Sequence, residues 1–324
     1  MKPINKNHTR LKDFIQEYML ILFLIFMAII ITIFVPRFLS AQNLINVMTQ
    51  IAINALLATG MTFVILTAGI DLSVGSIAAL AGIVATALIK QIPQASVLTC
   101  VALSILVSII VGGICGGFSG FAIAKLNVAP FIATLAMMSI ARGIAFVYTK
   151  SRPIFELPET FNWIGWGYIG VIPVIVLVMI IILVFSHIVI DKTRFGKYIY
   201  AVGGNEEGAR FSGINVEKIK FMVYVINGIL SAFAGVCLAS RLATGQPAAA
   251  RGYELIAITA VVMGGTSLFG GRGGIPKTVI GILTIGIINN GLSLMQVSSY
   301  WQSITMGFMI LIAVAFDQIR VKKE

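Results

Sequence analysis

Charge is what this sequence has least of. Only 11% of its 324 residues are Asp, Glu, Lys or Arg, against about 25% in an ordinary soluble domain. With 58% of residues hydrophobic and a mean hydropathy of +1.00, the chain reads as a polytopic membrane protein. Histidine is nearly missing. His8 and His187 lie too far apart for a zinc motif, so no metal site is expected. Cysteine is confined to Cys100, Cys115 and Cys237, all inside apolar runs, with neither disulfide nor metal spacing. Carboxylates are sparse within the apolar runs, which argues against a proton relay and a proton-coupled carrier. No G-x-S-x-G, H-E-x-x-H or paired-carboxylate site is present, so no catalytic residue is assigned. GGRGGIPKT at 270–278 misses a phosphate-binding loop, because Pro276 stands where the pattern needs Gly and has no N–H to offer. The chain carries no energy source of its own. Its net charge of +11 would suggest nucleic acid in a soluble protein. Here the distribution of charge matters more, and no nucleic-acid partner is expected.

What is present is a series of long apolar runs. A span needs about 20 apolar residues, and ten are placed: 18–35, 44–67, 74–89, 97–124, 130–148, 172–190, 221–240, 254–269, 276–294 and 300–317. The first run is longer than a signal-peptide core and has no convincing cleavage site, so it reads as a retained span. The fold class expected is therefore all-α, a single transmembrane bundle over 1–324 with both termini cytoplasmic. On that topology sixteen Lys and Arg fall inside and six outside, with Arg142 left within the fifth span. That asymmetry is what the positive-inside rule predicts. All three tryptophans then fall toward the outer interface.

The longest polar segment between apolar runs is 191–220. Within it Asn205 is a good N-cap, Glu206 and Glu207 occupy the first turn, and Gly213 is placed to stop the helix in the left-handed conformation. About two turns result, well short of the ~12–15 residues an isolated helix needs in water. Two readings stand: a solvated loop, or a docking element for a cytoplasmic partner. Gly112, Gly113, Gly116, Gly117 and Gly120 give overlapping small-xxx-small pairs on the fourth span, and Gly281, Gly286 and Gly291 line the ninth; tight helix packing is the plain reading. Arg142 would cost on the order of 2.5–3.5 kcal/mol at a span centre unless partnered. It is either a structural partner or a residue lining a path. Asp71 and Glu254 fall at predicted span ends, where a solvated or capping carboxylate is the plain reading. Asp71, Arg142, Asn289 and Asn290 are the candidates for a translocation path.

Four segments carry a resemblance: INALLATGMTFVILTAGIDLSVGS (53–76), FIATLAMMSIARG (131–143), GKYIYAVGGNEEGARFSGINVEKIK (196–220) and GYELIAITAVVMGGTSLFGGRGG (252–274). From about residue 37 onward the chain resembles the membrane permeases of bacterial ATP-binding-cassette importers for simple sugars, and the ribose permeases most of all. The resemblance implies a multi-pass inner-membrane subunit with no cofactor of its own; ATP and Mg would be bound by a partner ATPase. It implies a second copy of the permease, a cytoplasmic ATPase subunit and a secreted sugar-binding protein as partners, with lipid around the bundle. In such importers a short cytoplasmic helix inserts into a cleft on the ATPase. By resemblance that role falls on 203–217, with Gly204, Asn205, Glu206, Glu207, Arg210 and Gly213 as the coupling residues. Gly208 stands where many relatives have Ala. Lys150, Arg152, Arg241, Arg251 and Glu254 are the charged candidates for docking the binding protein outside. The alternatives weighed are a stand-alone secondary carrier or channel, which would need coupling-ion ligands, and a membrane-embedded transferase, which would need convergent acid, base or metal residues.

Overall fold

The computed structural model describes residues 21–321. The basic residues Lys2, Lys6, Arg10 and Lys12, the start of the first expected span, and Lys322 and Lys323 lie outside the described residues. Helix α1 covers Ile21–Phe34. A 3-10 turn at Pro36–Leu39 separates it from α2, Ala41–Leu66, whose N-cap Ser40 accepts from the Asn43 amide. Then follow α3 (Val74–Lys90), α4 (Val97–Lys125, with a π turn at Ser108–Gly112) and α5 (Pro130–Thr149). A short helix α6 (Glu159–Trp166) and an antiparallel hairpin, β1 (Tyr168–Ile169) with β2 (Ile172–Pro173), lead into α7 (Val174–Lys192). After it come α8 (Arg194–Gly204), α9 (Glu206–Phe211), α10 (Val216–Leu242), α11 (Tyr253–Met263), α12 (Ile275–Leu294) and α13 (Ser299–Val321). Among the described residues six helices are long and apolar enough to cross a membrane, namely α2, α4, α5, α7, α10 and α12. The helices of α1, α3, α11 and α13 contribute shorter apolar stretches.

The polytopic helical class expected from composition is the class observed. The eighth expected span is not a full span. Residues 254–269 were read as crossing, yet α11 has 11 residues, about 16 Å at the α-helical rise and short of the ~20 residues a crossing needs. It stops because Gly265, Gly270, Gly271, Gly273 and Gly274 all adopt positive φ, a backbone that no helix continues. The polar stretch also holds one more helix than expected. α8 forms because Gly196, Ile199 and Val202 fall on one buried stripe.

α2 sits at the centre. In its most apolar window 83% of residues are buried within the bundle, against 28% for α4 and α5. The outer helices therefore turn apolar surface such as Ile109, Phe118, Phe131, Ile181 and Phe185 outward, the arrangement lipid demands. α10 packs beside α2, and glycine sets how closely. On α4 a Cβ at Gly112 or Gly116 would overlap the α10 backbone at Gly228 or Tyr224, whereas Gly113 faces open space. Only the 112–116–120 row of the expected pairs is a close-contact face.

The loops sort into two sets at opposite ends. At one end lie α8, α9 and the glycine-rich 264–274 loop, with Lys125 paired to Glu217, Lys220 to Glu206, and Asp317 accepting from the Leu268 amide. At the other lie α6 and the hairpin, with Lys90 paired to Glu156 and Thr160 donating to the Ala95 carbonyl.

Candidate functional site

The short helix α9 is built as its residues dictate. Asn205 accepts from the Gly208 amide at 2.8 Å, and Gly213 at φ +80 closes the far end as Ile214 donates back to the Ala209 carbonyl. Glu206 is tied to Lys220 at 2.6 Å and Arg210 at 3.6 Å. These are exposed pairs that orient more than they stabilise. Beyond them Glu207, Arg210 and Phe211 face solvent, and Phe211 is 89% exposed. Sequence reasoning missed Phe211, one of four aromatics in the 191–220 stretch.

α8, which leads into α9, meets the bundle backbone to backbone at Gly203. A Cβ on Gly203 would overlap the Leu66 carbonyl oxygen and come 2.7 Å from the Gly271 amide nitrogen. Gly271 itself donates to that carbonyl at 3.0 Å. Tyr200 donates to the Gly273 carbonyl at 3.1 Å. Burial, with the Asp191 carboxylate nearby, raises the Tyr200 pKa and keeps the phenol a donor. Gly204 is exposed at the α8–α9 junction. The end of α8, the end of α2 and the glycine-rich loop thus form one knot.

From this knot the chain turns back into the bundle. Asn227, near the middle of α10, touches both Gly60 of α2 and Asp71, so residues 67–71 double back beside the last turns of α2. Asp71 is fully buried. It accepts from the Ser73 amide at 2.8 Å, the Ser73 hydroxyl at 2.5 Å and Asn227 Nδ2 at 2.7 Å. Of the solvated or capping carboxylate expected there, the structure shows the capping form, buried instead of solvated. It locks the entry of α3 onto α10.

A second interruption enters from the opposite end. Gly245 packs on Thr86 of α3, while Ala250 packs on Gly75. Those two α3 residues are eleven positions apart, about 16 Å along the axis. Residues 245–250 therefore run back along α3 into the bundle, and α11 starts from inside it. Arg142 holds this re-entrant segment, donating from Nη1 to the Pro247 carbonyl at 2.8 Å and the Ala249 carbonyl at 2.7 Å. A Cβ at Gly75 would overlap the Ala250 carbonyl oxygen and lie 2.6 Å from Glu254 Oε2. The two interrupted segments meet there, backbone to backbone.

One face of α11, from Tyr253 through Ile256 to Ala260, is left incompletely packed. A cavity of about 290 Å³ lies between α2, α10, α11 and α12. Its polar lining is Gln50, Asn54, Arg241, Tyr253 and Asn289, and its deeper wall includes buried Ile53, Ala260 and Ile282. Arg241 is fixed there: Nη1 donates to the Thr49 carbonyl at 2.8 Å, and the Trp166 indole donates to the Arg241 carbonyl at 2.7 Å. Asn54 Oδ1 is enclosed without a hydrogen-bond partner.

The residues proposed from sequence for a path are thus dispersed. Asn289 lines the cavity, Asn290 exchanges hydrogen bonds with Asn43 at 2.9 and 3.2 Å, Asp71 anchors α3, and Arg142 anchors the re-entrant loop. Those proposed for docking divide as well. Lys150, Arg152 and Arg251 are exposed, the last over the Phe146 ring at 5.7 Å, whereas Arg241 faces the cavity and Glu254 lies against Gly75. Gln50, Asn54 and Tyr253 were missed, since no spacing distinguishes them from packing residues until α11 is known to be short.

A family model described as "Branched-chain amino acid transport system / permease component" matches residues 43–314. The ribose import permease protein RbsC of Haemophilus influenzae is 44% identical over 96% of this chain and 97% of its own length. That of Bacillus subtilis is 47% identical over 91% of this chain and 90% of its own length. The L-arabinose transport system permease protein AraH of Escherichia coli is 36% identical over 95% and 92%. No solved structure matches.

Proposed function

Because the chain belongs to the family of branched-chain amino acid transport system permease components, we propose that it is the membrane permease of an ATP-binding-cassette importer for a simple sugar, ribose foremost. The observation that carries this reading is near-full-length identity of 44–47% to proteins named ribose import permeases. The sixteen-to-six bias of Lys and Arg supports placing the α8–α9 end in the cytosol of a cell with the permease in its inner membrane. Counting α11 with its re-entrant approach as one passage, ten passages accommodate that orientation.

In this reading α9 is the handle. ATP binding closes a partner ATPase seated on Glu207, Arg210 and Phe211. The backbone knot at Gly203, Leu66 and Gly271 carries the displacement to α2 and to the Asp71-anchored start of α3. A second copy of the chain completes the transporter, and a secreted binding protein delivers sugar to the opposite end, where Lys150 and Arg152 are exposed. The states that ATP favours must differ in contacts at α9 for any force to pass.

The family description favours a second reading, a branched-chain amino acid as cargo. An amino acid brings an ammonium group, and burying that charge without a carboxylate is costly. The cavity offers one guanidinium, amides and a phenol, with no carboxylate among its described lining residues, which suits a neutral polyol better. The coupling role is tested with Phe211→Asp in cells carrying the whole system. The ATPase should cease to co-purify with the permease and sugar uptake should fall by about tenfold or more, the scale of a lost interface anchor, at unchanged permease abundance. Uptake at the unmodified rate contradicts the assignment.

A further inference from the structure

We propose that the cavity along the Tyr253–Ala260 face of α11 is a monosaccharide-binding station inside the permease, with Gln50, Asn54, Arg241, Tyr253 and Asn289 as its contacts. This rests on the sugar-import reading and goes further, because it places recognition within the membrane subunit itself as well as in the delivering protein.

Three observations converge on this cavity. The first is position. An interrupted helix ends inside the bundle, and such broken elements form substrate sites near the membrane middle in many transporters, since backbone dipoles and unspanned space coincide there. The second is size. Pockets for drug-sized ligands run from about 300 to 1,000 Å³, so about 290 Å³ suits a single sugar ring rather than an oligosaccharide.

The third is chemistry. A sugar leaving water must replace several hydrogen bonds with both donors and acceptors. Two lining side chains, Asn54 and Asn289, and a third, Gln50, are primary amides that offer both. The guanidinium of Arg241 has five donors, of which the Thr49 carbonyl takes one. Tyr253 adds a flat ring for the apolar face of a pyranose or furanose and a hydroxyl at its edge.

The cavity is a transient site by construction. Its mouth is at Gln50 and Leu242, which are exposed, and its deep wall at Ile53, Ala260 and Ile282 is buried and apolar. Passage to the other end requires that wall to open. A site that must release its cargo is favourable enough to enter and weak enough to leave, which fits a few polar contacts better than a fully enclosing cage.

The test uses the complete transporter, permease with its ATPase and binding protein, in proteoliposomes. Asn289→Cys places a thiol on the cavity wall, while the three native cysteines are buried. Ribose should slow its modification by a hydrophilic thiol reagent by about tenfold, and leucine should not. In parallel, Tyr253→Ala and Asn54→Ala should each lower the sugar imported per ATP hydrolysed by about tenfold, the loss expected for one buried contact. Asn54→Gln should recover part of it. If the unmodified transporter imports ribose but ribose gives no protection and both alanine variants keep the full ratio, the station is wrong and the import reading survives. Protection by leucine alone overturns the sugar assignment of the cavity. Failure of the unmodified transporter to import any sugar overturns the import reading, and this inference with it.

Discussion

At the scale of single residues, the ionisable groups inside the bundle act first as fasteners. Arg142 was expected either to pair structurally or to line a path. It spends its guanidinium on two carbonyls of the 245–250 segment, which would otherwise hold unmet acceptors away from water. Arg142→Leu should therefore lower stability in detergent by about 3 kcal/mol, the order expected for two charge-assisted bonds, read as a fall in the midpoint of thermal unfolding. Arg142→Lys should fall between, because an ammonium lacks the planar fork. Asp71 is the matching fastener on the other side. Asp71→Asn keeps an acceptor for Ser73 and should be milder than Asp71→Ala, which strands the donors of Ser73 and Asn227. Equal unfolding midpoints for all these variants would contradict the fastener role.

At the scale of elements, two short pieces matter more than the long helices around them. α9 is too short to stand alone and depends on its Asn205 cap and its attachment through Gly203. Gly203→Val should push α8 away from the Leu66 carbonyl. The expected outcome is that ATP hydrolysis continues while sugar import falls by about tenfold or more, measured as transported sugar per phosphate released. Import at the normal ratio would show that the backbone knot does not carry the motion. α11 is the other short piece. It was legible as an apolar run, but its end at Met263 was not. Glycine count alone cannot say which glycines take positive φ, and five of them within 265–274 do. The capped helix at 205–213 was legible almost in full because capping is a local matter of Asn, Glu and Gly at fixed offsets. The re-entrant 245–250 segment was not, since it exists only through contacts with α3 and Arg142, far away in sequence.

At the scale of the whole molecule, the helical class and most span positions followed from hydropathy, because lipid admits few alternatives. The candidate site followed only in part. Asn289 and Arg241 were singled out from sequence for different roles, and the fold brings them to one cavity with Gln50, Asn54 and Tyr253. Two interrupted segments enter from opposite ends and meet at Gly75 and Ala250. The proposed cycle is a relative movement of these halves, driven from α9 and read out at the cavity. The most direct measurement is accumulation of labelled ribose in proteoliposomes containing this permease, its ATPase and the sugar-loaded binding protein. The account predicts uptake against a gradient that requires ATP and disappears with Phe211→Asp. Accumulation without the ATPase, or accumulation of leucine in place of ribose, would contradict it.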